Sequence, residues 1–178
     1  MGNSNDNKKE AYENALTEFK IFLSLYNSDK TLSLEAVLTS LVSTIKNNIK
    51  DFNFVGFYMV HNKSSLSQEQ KDKLALKDDC HLEVGAYNSD IVATPKIDYG
   101  KGVVGACWEK GDVIIENDVT QCKNYIACDD VTKSEICLPL KEEDKVLGVL
   151  DIDSTEKNRF EDIDKEYLVK LLELTTAK

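Results

Sequence analysis

The sequence predicts an α+β domain with one central antiparallel sheet, N- and C-terminal helices on one face and a loop-covered pocket on the other. Three observations carry this prediction. Apolar residues recur at helical spacing near both ends of the chain, the strand-like segments between them are connected largely by hairpins, and the longest irregular stretches are polar. At 178 residues, with 42% hydrophobic and 30% charged content, the chain suits one globular domain with a real core.

Residues 1 to 8 (MGNSNDNK) are polar and are expected to form a flexible N-terminus ahead of a single domain over 9 to 178. Tyr12, Leu16, Phe19, Leu23 and Tyr26 fall on one face of a helix that Asn27-Ser28-Asp29 ends. Leu34, Val37, Leu38, Leu41, Val42, Ile45 and Ile49 form the stripe of a second helix, with Ser33 as its N-cap. Phe54 to Val60 is apolar on both faces and reads as a central strand, after which the polar segment His61 to Asp79 is a long hairpin loop. Leu82 to Tyr87 alternates like a half-buried strand, and Ile91-Val92-Ala93 reads as a short third one cut off by Pro95. Gly102 to Lys110 forms a short helix stopped by Gly111, and Val113-Ile114-Ile115 a further strand. Thr120 to Lys133 is irregular and polar. Glu135 to Leu140 and Lys145 to Asp153 are two strands joined by the acidic turn Lys141-Glu142-Glu143-Asp144, and Phe160, Ile163, Tyr167, Leu171 and Leu174 mark a closing helix.

Twenty-two basic residues against 32 acidic ones leave a net charge of −10, and no basic run exceeds Lys8-Lys9. Nucleic acid and anionic membranes are therefore poor partners. No stretch approaches the roughly 18 apolar residues of a membrane span, and Met1 to Glu10 lacks the regions of a signal peptide, so a cytoplasmic location is expected. Five cysteines in such a chain point to reduced thiols rather than a disulfide framework.

Gly100-Lys101-Gly102-Val103-Val104-Gly105 satisfies G-x-G-x-x-G, but Pro95 stands just upstream and the surrounding pattern is antiparallel, so it reads as a helix-entry turn rather than a dinucleotide site. With two histidines and no C-x-x-C, neither a metal nor a cofactor is expected; Cys80 and His81 are adjacent on a strand and point to opposite faces. Cys128 lies in a polar loop, where a thiol is exposed and reactive, whereas Cys137 is embedded in an apolar strand and reads as inert core. Asp151 and Asp153 share one face of an otherwise apolar strand. Their repulsion and desolvation call for a ligand, or for a strand end that is simply solvated.

Gly56-Phe57-Tyr58, Gly102-Val103-x-Gly105, Ile126-Ala127-Cys128-Asp129, Ser134-Glu135-Ile136 and Gly148-Val149-Leu150-Asp151-Ile152-Asp153-Ser154 occur in order and at fitting spacings. By these motifs, from the first helix to the last, the chain resembles the GAF-domain free methionine-(R)-sulfoxide reductases. The resemblance implies a GAF-like fold and a substrate, free methionine sulfoxide, that is reduced to methionine. It implies that Cys128 attacks the sulfoxide sulfur and becomes a sulfenic acid, that Glu135 and Asp153 hold the sulfoxide oxygen, and that Asp151 lies near the substrate's ammonium. Tyr58 and Phe54 match the aromatic pocket for the methyl group, with Phe54 standing where the family usually has Trp. Two further cysteines of the family are replaced here by Thr94 and Val104, which leaves Cys107 and Cys122 as candidate resolving thiols. The reductant is then thioredoxin or a small thiol such as glutathione, and a homodimer is admitted. The alternative is a catalytically degenerate GAF module that binds a small molecule.

Overall fold

In the computed structural model, which describes residues 4–62, 80–122 and 130–176, two helices open the chain. The first, α1 (Ser4–Tyr26), starts well inside the segment expected to be flexible. Its first turns are anchored from a distance: Lys8 Nζ donates to Asp164 Oδ2 at 2.9 Å and to the Arg159 carbonyl at 3.0 Å. Polar composition alone could not reveal that partner, 156 residues further on. The second helix, α2 (Leu34–Asn48), has the predicted cap, with Ser33 Oγ accepting from the Ala36 N–H at 3.3 Å, and buries Val37, Leu38, Leu41, Val42 and Ile45.

Six strands follow: β1 (Phe54–Asn62), β2 (Cys80–Ser89), β3 (Lys96–Asp98), β4 (Ile114–Glu116), β5 (Ser134–Glu142) and β6 (Lys145–Ser154). They form one sheet in the order β3-β2-β1-β6-β5-β4, with every neighbouring pair antiparallel. β1 is paired on both edges and covered on both faces, which accounts for its continuous apolar run. The third strand is not Ile91-Val92-Ala93, as the sequence suggests, but Lys96–Asp98 beyond the proline. Val92 is 84% exposed, and the ladder to β2 is entered by the Pro95 carbonyl, which accepts from the Val84 N–H at 3.2 Å. Proline has no N–H to donate, so pairing begins with it instead of ending before it.

Between β3 and β4 lies α3 (Gly102–Lys110), closed as predicted by Gly111 in the left-handed conformation at φ 64°. Gly100 and Gly102 also have positive φ, and a Cβ on Gly105 would stand 2.6 Å from the Asp98 carbonyl oxygen. The three glycines let the chain turn sharply into α3 and pack it on β3, the helix-entry turn read from the sequence. The last helix, α4 (Asp162–Thr176), returns to α1.

Helices α1, α2 and α4 share one face of the sheet, where Val55, Phe57, Ile136, Leu138, Leu150 and Ile152 meet Phe19, Leu41, Ile45, Leu168 and Leu171. The buried Asp164 ties the ends of the chain together, accepting from Tyr12 Oη at 2.8 Å, Arg159 Nη1 at 3.0 Å and Lys8 Nζ. On the opposite face α3 covers a smaller cluster of Phe54, Tyr58, Leu82, Val103, Val104 and Val149. Among the described residues no helix is long and apolar enough to cross a membrane.

Candidate functional site

Strand alternation decides which side chains reach the α3 face. Residues at odd positions of β5 and β6 and even positions of β1 point there: Glu135 and Cys137, Val149, Asp151 and Asp153, Phe54, Gly56 and Tyr58. The register sets Glu135 opposite Asp153 and Cys137 opposite Asp151, while β1 brings Phe54 to Asp153 and Gly56 to Asp151. Three carboxyl groups from two adjacent strands thus form one patch. All three are buried, with residue exposures of 4% for Glu135, 5% for Asp151 and 6% for Asp153. The reading of a solvated strand end is thereby excluded.

Cys137 is fully buried in the apolar cluster of this face, the inert core position read from the sequence, and it also touches the acids, since its neighbours Ile136 and Leu138 point to the other face. Its thiol donates to Glu135 Oε1 at 3.1 Å and lies 3.5 Å from Asp151 Oδ1. Its contact with Glu135 follows from parity, since the two residues are two apart in one strand.

Burial, and then the charge of Asp153, pushes the Glu135 carboxyl up to about 8, against smaller opposing contributions from hydrogen bonds with Cys137 and Asp151. Asp151 is held well above the usual carboxylate range by burial and then by the charge and hydrogen bond of Glu135. Each acid thus raises or tunes the other through charge and a mutual hydrogen bond. Burial and the same carboxyls keep Cys137 a thiol, and Cys107 is raised in the same way, by burial first and then by Asp151 and Glu135. Both are poor nucleophiles in this state.

Beside the acids on the same face lie stacked aromatic rings. Phe54 and Tyr58 have centroids 6.3 Å apart, and Phe54 and Tyr87 6.0 Å. Gly56 makes this possible, because a Cβ there would stand 2.7 Å from both the Phe54 ring and Tyr87 Cβ. The site therefore pairs an apolar wall with a buried patch of acids, two of them held above the usual carboxylate range. Glu135, Cys137 and Asp151 each offer one donor atom within 4.8 Å of the others, a set able to hold a proton, a polar oxygen or a cation.

Of the residues singled out from sequence, Phe54, Tyr58, Glu135, Asp151 and Asp153 come together here. Cys128 lies outside the described residues. Cys107 is buried on α3, Cys122 is half-buried after a short 3₁₀ turn, and both are free thiols packed with the apolar cluster of this face. Val104 belongs to that cluster as well.

Comparison with known proteins gives a consistent picture. The family described as GAF domain matches residues 31–177. The chain is 32% identical to GAF domain-containing protein A of Dictyostelium discoideum, over 96% of this chain and 94% of that one. It is 34% identical to the free methionine-R-sulfoxide reductase of Saccharomyces cerevisiae, over 96% of this chain and 87% of that one. Among solved structures, fRMsr of Staphylococcus aureus in complex with substrate superposes with a TM-score of 0.72 at 31% identity, covering 93% of this chain and 95% of that one.

Proposed function

Because the chain belongs to the GAF-domain free methionine-(R)-sulfoxide reductase family, we propose that it reduces free L-methionine-(R)-sulfoxide to methionine. The observation that carries the reading is the buried acid patch, with Glu135 and Asp151 held above the usual carboxylate range, beside an aromatic wall. A sulfoxide has the complementary shape: a polar S–O bond beside a small apolar methyl group.

The chemistry follows from those two surfaces. Sulfur becomes electrophilic when its oxygen accepts a proton, and a carboxyl with a pKa near 8 is still protonated at neutral pH and gives that proton up readily. Glu135, with Asp153 opposite it in the register, receives the oxygen, and Phe54 and Tyr58 receive the methyl group. Cys128 supplies the nucleophile. Its sulfur attacks the activated sulfoxide sulfur, and the oxygen passes to Cys128 as the substrate's S–O bond breaks, so thiol plus sulfoxide becomes sulfenic acid plus methionine, with no atom left over. Asp151 meets the substrate's ammonium and releases its proton as that charge arrives, which selects a free amino acid over a residue in a peptide. The sulfenic acid then condenses with an external thiol, releasing water, and a second thiol restores Cys128.

A second reading, a GAF module that binds the same ligand without turning it over, is favoured by Thr94 and Val104 standing where the family has resolving cysteines. One experiment separates the two. Purified protein is incubated with each methionine sulfoxide epimer and dithiothreitol, and methionine is quantified by chromatography. Reduction of the R epimer alone supports the enzyme. Binding of that epimer without any methionine formed leaves the module.

A further inference from the structure

Both histidines of this chain stand directly opposite each other. His61 on β1 and His81 on β2 are register partners, with ring centroids 6.4 Å apart. Glu83, two residues further along β2 and so on the same face as His81, reaches both: one carboxylate oxygen lies 2.6 Å from His81 Nε2 and the other 3.7 Å from His61 Nδ1. This face is the one that carries Met59 and packs against α2, where Leu34, Glu35 and Leu38 line an open groove with His61 and Glu83. It lies on the other side of the sheet from the carboxyl patch.

We propose that His61, His81 and Glu83 bind one divalent transition cation of the zinc class, clipping β1 to β2 at the neck of their hairpin. Two imidazoles and a carboxylate are a ligand set that zinc accepts, with a fourth position left for water. Around a tetrahedral zinc with bonds of about 2.0–2.1 Å, ligand atoms stand about 3.3 Å apart. The two Glu83 distances of 2.6 and 3.7 Å therefore open and close by less than about 1 Å on metal entry. The imidazole nitrogens of His61 and His81 that face Glu83, more than 4.8 Å apart, close by about 1.5 Å or more through rotation of the exposed His61 side chain. The side chains that must adjust are free to do so, since His61 is 54% and Glu83 47% exposed. His81 is the fixed ligand. It is buried, and its Nδ1 has no hydrogen-bond partner, so its interactions are confined to Nε2, the atom already turned to Glu83. The nearest cation, Lys96 opposite Glu83 on β3, is turned to Asp98 at 2.9 Å. Glu35 at the rim and the net charge of −10 favour a cation further.

Within one strand, adjacent Cys80 and His81 diverge, and the sequence accordingly argues against a zinc site. Sheet pairing, which brings residues 61 and 81 face to face, is what assembles one.

The test titrates ZnCl2 into tag-free full-length protein, followed by calorimetry and by the imidazole C–H resonances in proton NMR. With two histidines in the chain, assignment is direct. One equivalent should bind and move both resonances. His61→Gln and Glu83→Gln should each weaken zinc binding by about tenfold or more, while Cys80→Ser, which alters an exposed neighbouring thiol, leaves it unchanged. Zinc should raise the melting midpoint of the wild type and not of His61→Gln, whose metal-free midpoint matches the wild type because the side chain is on the surface. Wild-type zinc affinity in His61→Gln, stationary imidazole resonances, or loss of binding in Cys80→Ser alone would each overturn the proposal.

Discussion

Glu135→Gln should flatten the dependence of stability on pH between about 4.5 and 8. In the unfolded chain this carboxyl releases its proton near 4.5, whereas in the fold it holds on to about 8, chiefly because it is buried. Between those values the native state binds more protons than the unfolded one, so stability falls as pH rises. The contribution is fully present below 4.5 and lost as pH climbs through 8. A gap of about 3.5 pH units at 1.36 kcal/mol each corresponds to a ceiling of roughly 5 kcal/mol, comparable to the whole net stability of a small domain. The folded value of about 8 already includes the hydrogen bond that Glu135 accepts from the Cys137 thiol, so a loss of several kcal/mol, up to that ceiling, is the working expectation. Glutamine keeps the shape and an acceptor oxygen but does not titrate. The assay is urea unfolding at pH 5, 6.5 and 8, comparing wild type, Glu135→Gln and Glu135→Gln/Asp151→Asn. The wild type should lose stability steeply across the series, the single variant less, and the double variant least, because Asp151 is raised by the same burial. Parallel profiles for all three proteins would show that these acids are not protonated in the fold, and the proton-donor role of Glu135 would go with them.

Cys128→Ser should abolish methionine formation in the epimer assay while circular dichroism stays unchanged; retained turnover would remove Cys128 from the mechanism. Asp151→Asn should weaken binding of free methionine sulfoxide roughly ten- to a hundredfold, measured by calorimetry, because an amide cannot pair with an ammonium; unchanged affinity would place the ammonium elsewhere. Asp164→Ala should cost about 3 to 5 kcal/mol in denaturant unfolding, since it strands Arg159 and Lys8 without their buried partner; an effect below about 1 kcal/mol would mean the network is dispensable.

Local periodicity made most of this fold legible. The 3.6-residue stripe of α2 with its Ser33 cap, the glycine stop of α3, and the alternation that sends Asp151 and Asp153 to one face all depend on neighbours within a few residues. Alternation reaches no further than its own strand. That Glu135 faces Asp153, that Cys137 joins the acids, and that His61 meets His81 are consequences of register between strands, which forms across long separations in sequence. The anchoring of Lys8 to Asp164 and the start of β3 beyond Pro95 were hidden for the same reason. Most of all, the chemistry of Glu135 required the folded chain. In solution it is an ordinary carboxyl, and only burial, together with the Asp153 charge brought opposite it by the sheet, makes it an acid that still carries its proton near neutral pH.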